Sequence, residues 1–303
     1  MASSTRNLLV TGATGKQGGA LVSALLSTPN QPFTIYAVTR NATSASALAL
    51  AARSSKIKLV EGSFEDVPGI FSQVPGIWGM FLVTTFDKGV KREESQGKAL
   101  AKGALDAGAK HVVFTATDRG INGDNDPTSV AHFKSKYNVE KEIERLSSQS
   151  SQGASWTALR PVAFMDNLTD NFFGRAFVSM WRLNGIDHKL QLISTTDIGK
   201  IAAEAFLNYD RPEYHNKAID IAGDSITPAE AAKVFKEETG KDLPASYSWV
   251  GWLLKAGLKE ALGDMFNWFA KVGFAADPQS VKQRYPFVKD FRTWVREESA
   301  WRK

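Results

Sequence analysis

The chain has no cysteine among its 303 residues, which removes disulfides, thiolate metal sites and cysteine nucleophiles together. Histidine is nearly as scarce. The four present, His111, His132, His188 and His215, lie far apart with no paired spacing, so no resident metal is expected. Long hydrophobic runs are missing too: the longest, Ile77 to Val83, is broken by Gly79 and falls far short of a membrane span. The opening residues Met1 to Asn7 hold no apolar segment of signal-peptide length, and Ala2 excludes myristoylation. The expectation is a cytoplasmic protein without a membrane partner. The sequons Asn41-Ala42-Thr43 and Asn167-Leu168-Thr169 are then chance matches. Charge of one sign is in little excess: 37 basic and 32 acidic side chains leave a net +5, with the basic residues scattered rather than blocked. That argues against a direct nucleic-acid partner. With 43% hydrophobic and 23% charged residues, disorder, collagen and coiled coil are excluded as well.

What is present is an alternation of short β-rich runs with helix-length stretches, the pattern of βαβ units closing a parallel sheet. Strands are expected at Asn7 to Thr11, Phe33 to Thr39, Ile57 to Glu61, Gly79 to Thr84, His111 to Thr115 and Trp156 to Leu159. Helices are expected at Gln17 to Leu26, Ala45 to Ala52, Gln96 to Ala107, closed by Gly108 as C′ residue, and Lys136 to Leu146. Leu8-Leu9-Val10, Met80-Phe81-Leu82-Val83 and Val112-Val113-Phe114 read as strands buried on both faces. Further on come a strand at Ala218 to Ala222 and a helix opening at Thr227-Pro228-Ala229-Glu230, with Thr as N-cap, Pro at N1 and Glu at N3.

The first strand runs straight into Gly12-Ala13-Thr14-Gly15-Lys16-Gln17-Gly18-Gly19, and a helix-like stretch follows at once. Glycines at 12, 15 and 18 allow a sharp turn, let backbone N–H groups approach a pyrophosphate, and pack the helix close to the strand. A nucleoside-triphosphate loop fails here, because Lys16 is followed by Gln17 rather than Ser or Thr. The expected ligand is a dinucleotide, held by Gly12, Thr14, Gly15, Lys16, Gln17 and Gly18. At the end of the second strand, Ala37-Val38-Thr39-Arg40-Asn41 contains no carboxylate to select NAD. Arg40 offers a planar fork for a 2′-phosphate, with Lys16 as a second positive charge, so NADP(H) is expected.

These residues resemble the NmrA-like family of atypical short-chain dehydrogenases/reductases. The resemblance rests on the glycine loop, on Val83-Thr84-Thr85-Phe86, on the helix His132 to Lys141, and on Leu159-Arg160-Pro161-Val162-Ala163-Phe164-Met165-Asp166-Asn167. Ser194-Thr195-Thr196-Asp197-Ile198-Gly199 is similar to a segment that opens a later helix in that family. The likeness runs to about residue 230. It implies an α/β fold, a doubly wound parallel (Rossmann) sheet with a smaller, mainly helical C-terminal substrate region. The expected division is 1–160 for the NADP-binding domain, with 190–223 returning to it, and 161–189 plus 224–303 for the substrate-binding region.

The family holds both NADPH-dependent reductases, including enzymes of secondary metabolism, and cofactor-binding regulators without catalysis. Reductases of the wider superfamily use Tyr-x-x-x-Lys, and two registers of that pattern exist here. Tyr137 and Lys141 form the literal motif. Alternatively Ser135, Lys136 and Glu140 match the extended members, with His132 at the tyrosine position. The registers face about 140° apart on a helix, so both cannot see one cofactor. We favour His132 as proton donor and Lys136 as cofactor clamp, because the flanking pattern fits. The same departure from tyrosine occurs in non-catalytic members.

Other contacts implied by the resemblance are Ser63 and Phe64 at the adenine, Thr84 and Thr85 along the ribose and diphosphate, and Phe164 at the nicotinamide. Arg160 is expected to be a structural ion-pair residue. The substrate would meet Phe86, Thr117, Asn167 and the aromatic tail, above all Trp249 and Trp252. An aromatic-lined pocket suits a hydrophobic, bulky or polycyclic small molecule. The expectation is therefore an NADPH-dependent reductase of such a carbonyl, imine or enone, monomeric or homodimeric. A cofactor sensor and a non-redox cyclase or isomerase retaining NADP are the alternatives.

Overall fold

A computed structural model describes residues 5–85, 89–246 and 263–302. The strands are β1 (Arg6–Val10), β2 (Phe33–Thr39), β3 (Ile57–Glu61), β4 (Ile77–Leu82), β5 (His111–Thr115), β6 (Ser155–Pro161), β7 (Ala163–Phe164), β8 (Leu190–Ile193), β9 (Lys217–Ile221) and β10 (Asp224–Ile226). The helices are α1 (Lys16–Ser27), α2 (Ala45–Ala51), α3 (Val67–Phe71), α4 (Val90–Asp106), α5 (Ala131–Ser148), α6 (Phe172–Leu183), α7 (Thr195–Leu207), α8 (Pro228–Thr239), α9 (Asp264–Lys271), α10 (Pro278–Arg284) and α11 (Phe291–Glu297).

The described chain divides into two compact units. Unit 1 comprises Met1–Ala116, Ser135–Arg160 and Ile198–Ile219, and unit 2 comprises Thr117–Lys134, Pro161–Asp197 and Asp220–Lys303. Unit 1 is organised on a seven-stranded sheet of order β3-β2-β1-β4-β5-β6-β9. Strands β1 to β6 pair in parallel, with Val10 level with Ala37 on one side and Phe81 on the other. This is the Rossmann-type α/β fold. Leu8, Leu9 and Val10 are wholly buried, as continuous apolar runs flanked by helices on both faces must be. The strand order reverses between β1 and β4, which opens a crevice at their carboxyl ends. Thr11 welds the two sides of that crevice: its backbone N–H donates to Phe81 O (3.0 Å), and its hydroxyl accepts from Val83 N–H (2.8 Å).

Helix ends follow local chemistry. Ala107 ends α4 and Gly108, with φ +94°, takes the left-handed C′ position. Thr227 and Glu230 form a reciprocal capping box on α8 with Pro228 in the first turn. Helix α4 starts at Val90, six residues ahead of the expected Gln96, because its first turns are polar and carry no apolar periodicity.

Unit 2 holds a three-stranded sheet, β10-β8-β7, and a core built around Phe177, Trp181, Phe235, Phe266 and Phe291. The described part of the aromatic tail belongs to that core. Phe266, Trp268 and Phe269 are buried, and Trp268 meets Phe133 (5.2 Å) and Phe274 (5.4 Å) edge-on. Core packing, rather than a pocket wall, accounts for this stretch. Among the described residues no helix is long and apolar enough to cross a membrane.

One histidine reports on stability. His111 opens β5 fully buried, its Nδ1 2.8 Å from Ser155 Oγ and its Nε2 3.1 Å from Thr157 Oγ1. The Thr157 hydroxyl donates to Tyr214 O (2.6 Å), so it accepts from Nε2–H. Burial, with a smaller contribution from His215, pushes its pKa down to about 3. The unfolded chain protonates this ring near pH 6.5, so the folded state loses stability as pH falls from there toward 3. The limiting slope is about 1.4 kcal/mol per pH unit. His111→Asn lacks this loss: the gap between the urea midpoints of wild type and variant should be constant above pH 7 and narrow steadily toward pH 4.

Candidate functional site

The crevice of unit 1 begins with the turn after β1. Gly12 adopts φ +60°, and a Cβ there would lie 2.6 Å from Val83 Cγ1. A Cβ on Gly18 would lie 2.4 Å from Gly12 O, so α1 can start this close to β1 only without a side chain. Gly15 caps α1 with no side-chain hydrogen bond, and no acidic residue occupies the first turn. The helix thus presents bare N–H groups and the positive end of its dipole to the crevice. Thr14 and Lys16 are exposed there, and Gln17 Oε1 is sealed from solvent with no hydrogen-bond partner.

Arg40 follows β2, exposed, with no ion-pair partner among the described residues. The turn after it is tied down by its own side chains: Asn41 Oδ1 accepts from Thr43 N–H and Thr43 Oγ1, and Glu61 accepts from Ala42 N–H (2.7 Å). The guanidinium therefore projects from a fixed base. Beyond β3, Ser63 is exposed and Phe64 packs against the core of unit 1. The turn after β1, Arg40 and Ser63 thus sit at the ends of three adjacent strands.

Past β4 the site becomes charged. Lys136 Nζ, on α5, lies 3.1 Å from Glu93 Oε1 and 3.2 Å from Thr84 Oγ1. Thr84 donates to the same Glu93 oxygen (2.9 Å). Thr84 and Glu93 are buried, while the Lys136 side chain keeps 15% of its surface exposed. The Phe114 ring lies 5.7 Å from the ammonium. Two hydroxyls at the ends of β5 and α5, Thr115 Oγ1 and Ser135 Oγ, are buried without hydrogen-bond partners. Such groups are rare in folded proteins. Thr85 is exposed beside Thr84. Phe86 lies outside the described residues, as do Trp249 and Trp252.

The alternative register looks elsewhere. Lys141 pairs with Glu144 (3.0 Å), and its ammonium lies 5.8 Å from the Tyr137 ring. Glu140 is buried against Arg160, whose Nε donates to it at 3.1 Å, so Arg160 is a structural ion-pair residue.

Unit 2 carries the remaining predicted residues. His132 is 7% exposed and packs edge-on against Phe133 (4.7 Å). Thr117 is buried, Phe164 precedes a short 3-10 turn (Met165–Asn167), and Asn167 is the last residue of that turn. Two residues that sequence reasoning missed hold this region. Asp118 is fully buried and accepts from Gly120, Ala275 and Ala276 N–H groups, while Arg119 donates to Thr117 O and Gly123 O. A groove of about 810 Å³ in unit 2 is lined by Phe172, Arg175, Arg182, Leu243 and Trp301 among others, none of them predicted. No cluster of three potential metal ligands occurs among the described residues.

A doubly wound sheet with a glycine turn at its switch point defines the class: an α/β protein of the dinucleotide-binding type. The chain belongs to the NmrA-like family, whose model matches residues 4–293. The NmrA-like family domain-containing oxidoreductase malD of Malbranchea aurantiaca is 26% identical over 258 residues, covering 78% of this chain and 74% of the relative. The chain is also similar in structure to the Citrobacter sp. triphenylmethane reductase complexed with NADP(H) (TM-score 0.73, 17% identity, 97% of this chain, 100% of the other). NmrA, a negative transcriptional regulator solved in complex with NADP, matches with TM-score 0.71 and 18% identity over 98% of this chain and 96% of its own.

Two substitutions test this construction. Gly18→Ala drives a methyl into the Gly12 carbonyl and should lower stability by about 1–3 kcal/mol in urea titration. Glu140→Ala strands the buried Arg160 guanidinium, with an expected loss of about 3–5 kcal/mol in the same measurement.

Proposed function

We propose that this chain is an NADPH-dependent reductase acting on a hydrophobic, bulky or polycyclic carbonyl, imine or enone. The observation that carries the reading is the buried Thr84–Glu93–Lys136 cluster, together with two buried hydroxyls without hydrogen-bond partners, Thr115 Oγ1 at the carboxyl end of β5 and Ser135 Oγ on α5. A purely structural ion pair needs no such unfilled hydroxyls. Support comes also from curated relatives named as oxidoreductases.

When bound, the reduced cofactor supplies a hydride. Gly12, Gly15, Gly18 and the first turn of α1 would receive its pyrophosphate, Arg40 and Lys16 its 2′-phosphate, and Ser63 and Phe64 its adenine edge. Lys136 would turn one ammonium proton from Thr84 to the nicotinamide ribose, with Thr85 alongside. Thr115 and Ser135 offer hydroxyls to the substrate's polar atom. His132, one helical turn before Lys136 on α5, is assigned the proton that goes to the carbonyl oxygen or imine nitrogen.

A second reading, a cofactor sensor without turnover, is favoured by the histidine in place of tyrosine and by the likeness to NmrA. It requires cofactor binding but no consumption. NADPH absorbance followed with a panel of cyclic imines and enones separates the two. Consumption that disappears in His132→Ala supports the reductase; no consumption with any substrate, with cofactor binding intact, selects the sensor. Arg40→Ala should weaken NADP roughly tenfold to a hundredfold by calorimetry while leaving NAD nearly unchanged. Equal losses would overturn the NADP assignment.

A further inference from the structure

Glu93 has no role in the proton and hydride steps proposed above, yet it is a buried carboxylate in direct contact with Lys136. The run Arg92-Glu93-Glu94 shows how selective its placement is. Arg92 pairs outward with Glu65 (2.8 Å), and Glu94 pairs with Lys98 (2.6 Å). Glu93 alone turns inward, 1% exposed, onto the Lys136 ammonium. Its second oxygen, Oε2, is buried with no hydrogen-bond partner. A carboxylate so poorly solvated is held there by the lysine charge and the Thr84 hydroxyl.

The consequence is electrostatic. An ammonium placed beside a nicotinamide favours the neutral reduced ring and repels the positively charged oxidised ring. With Glu93 at 3.1 Å, the pair carries no net charge, and that bias is cancelled at its source. We infer that Glu93 is a positioning and charge-balancing residue that, through Lys136, sets the relative affinity of the site for oxidised and reduced NADP. This rests on the placement of Lys136 beside the nicotinamide ribose in the proposed function. Thr84 fixes the geometry by binding both partners at once, and the Phe114 ring lies 5.7 Å from the ammonium.

The test is the ratio of the dissociation constants for NADP+ and NADPH, measured on the full chain by calorimetry and by cofactor fluorescence at low ionic strength. Glu93→Gln is isosteric and leaves the ammonium uncompensated, so the ratio should move toward NADPH roughly tenfold. Lys136→Met leaves the carboxylate uncompensated and should move it the opposite way by a similar factor. The double variant should return to within about twofold of wild type. Glu93→Asp, which keeps the charge, should keep the wild-type ratio even where it lowers the melting temperature.

Packing damage alone would weaken both cofactor forms together. Single variants that leave the ratio unchanged, or that both move it in the same direction, overturn the charge-balancing role and leave the clamp reading of Lys136 intact. If neither single variant changes the affinity for either form, Lys136 is not beside the nicotinamide, and the inference fails with that placement.

Discussion

A helix that begins within contact distance of the strand before it is the constraint on which unit 1 depends. The backbone of Gly12 and the α-carbon of Gly18 approach so closely that any side chain at 18 would overlap the Gly12 carbonyl. That closeness leaves the α1 N-terminus uncapped at the point where the sheet order reverses. Everything else in the crevice is registered to it. Thr11 bonds across to Phe81 and Val83, so Thr84 and Thr85 take their height from the same turn. The strand pairing then sets Arg40 and Ser63 on the adjoining ends of β2 and β3.

Helix α5 shows how one element divides its charges by face. Glu140 turns to Arg160 in a pair almost wholly sealed from water, where removal of one partner is costly and the charges serve packing. Lys136 turns to Glu93 in a pair whose lysine keeps a share of solvent. Lys141 and Arg145 face outward to Glu144 and Glu142, where screening makes ion pairs worth little. A gradient of burial along one helix thus separates a structural bond, a site group and a solvated surface.

Much of this was legible because its signals are local. Strands β1, β4 and β5 announce themselves as apolar runs, the turn after β1 by its glycines, and the α8 cap by Thr227-Pro228-Ala229-Glu230, since each depends on residues a few positions apart. The opening of α4 was not legible, because its first turns are polar and the apolar face begins later. Glu93 was missed for the same reason: a buried glutamate within Arg92-Glu93-Glu94 looks like its solvated neighbours until the fold brings Thr84 and Lys136 to it. Asp118 likewise acquires its meaning from backbone N–H groups at 275 and 276, more than 150 positions away. Helix α6 and strands β7, β8 and β10 are short or aromatic-rich, and their identity comes from packing around Phe177 and Trp181 rather than from periodicity.

Reductases and dinucleotide-binding regulators share this fold, so the fold cannot separate them. Both must manage the charge that the cofactor brings to the site. A reductase must release its oxidised cofactor at the end of each cycle and bind the reduced form at the start, whereas a sensor that reports total cofactor must hold both alike. A lysine without a counter-ion would favour the reduced form. One paired with a buried carboxylate removes that preference while keeping its hydrogen bonds, and so meets the electrostatic requirement of either task. What then distinguishes the tasks is the proton: hydride transfer to a carbonyl or imine is complete only if a group beside the acceptor atom gives one up. In the proposed reductase that proton is assigned to His132, because an imidazole can give up a proton from one ring nitrogen and be recharged through the other, whereas the hydroxyls of Thr115 and Ser135 have no hydrogen-bond partner from which to draw a replacement.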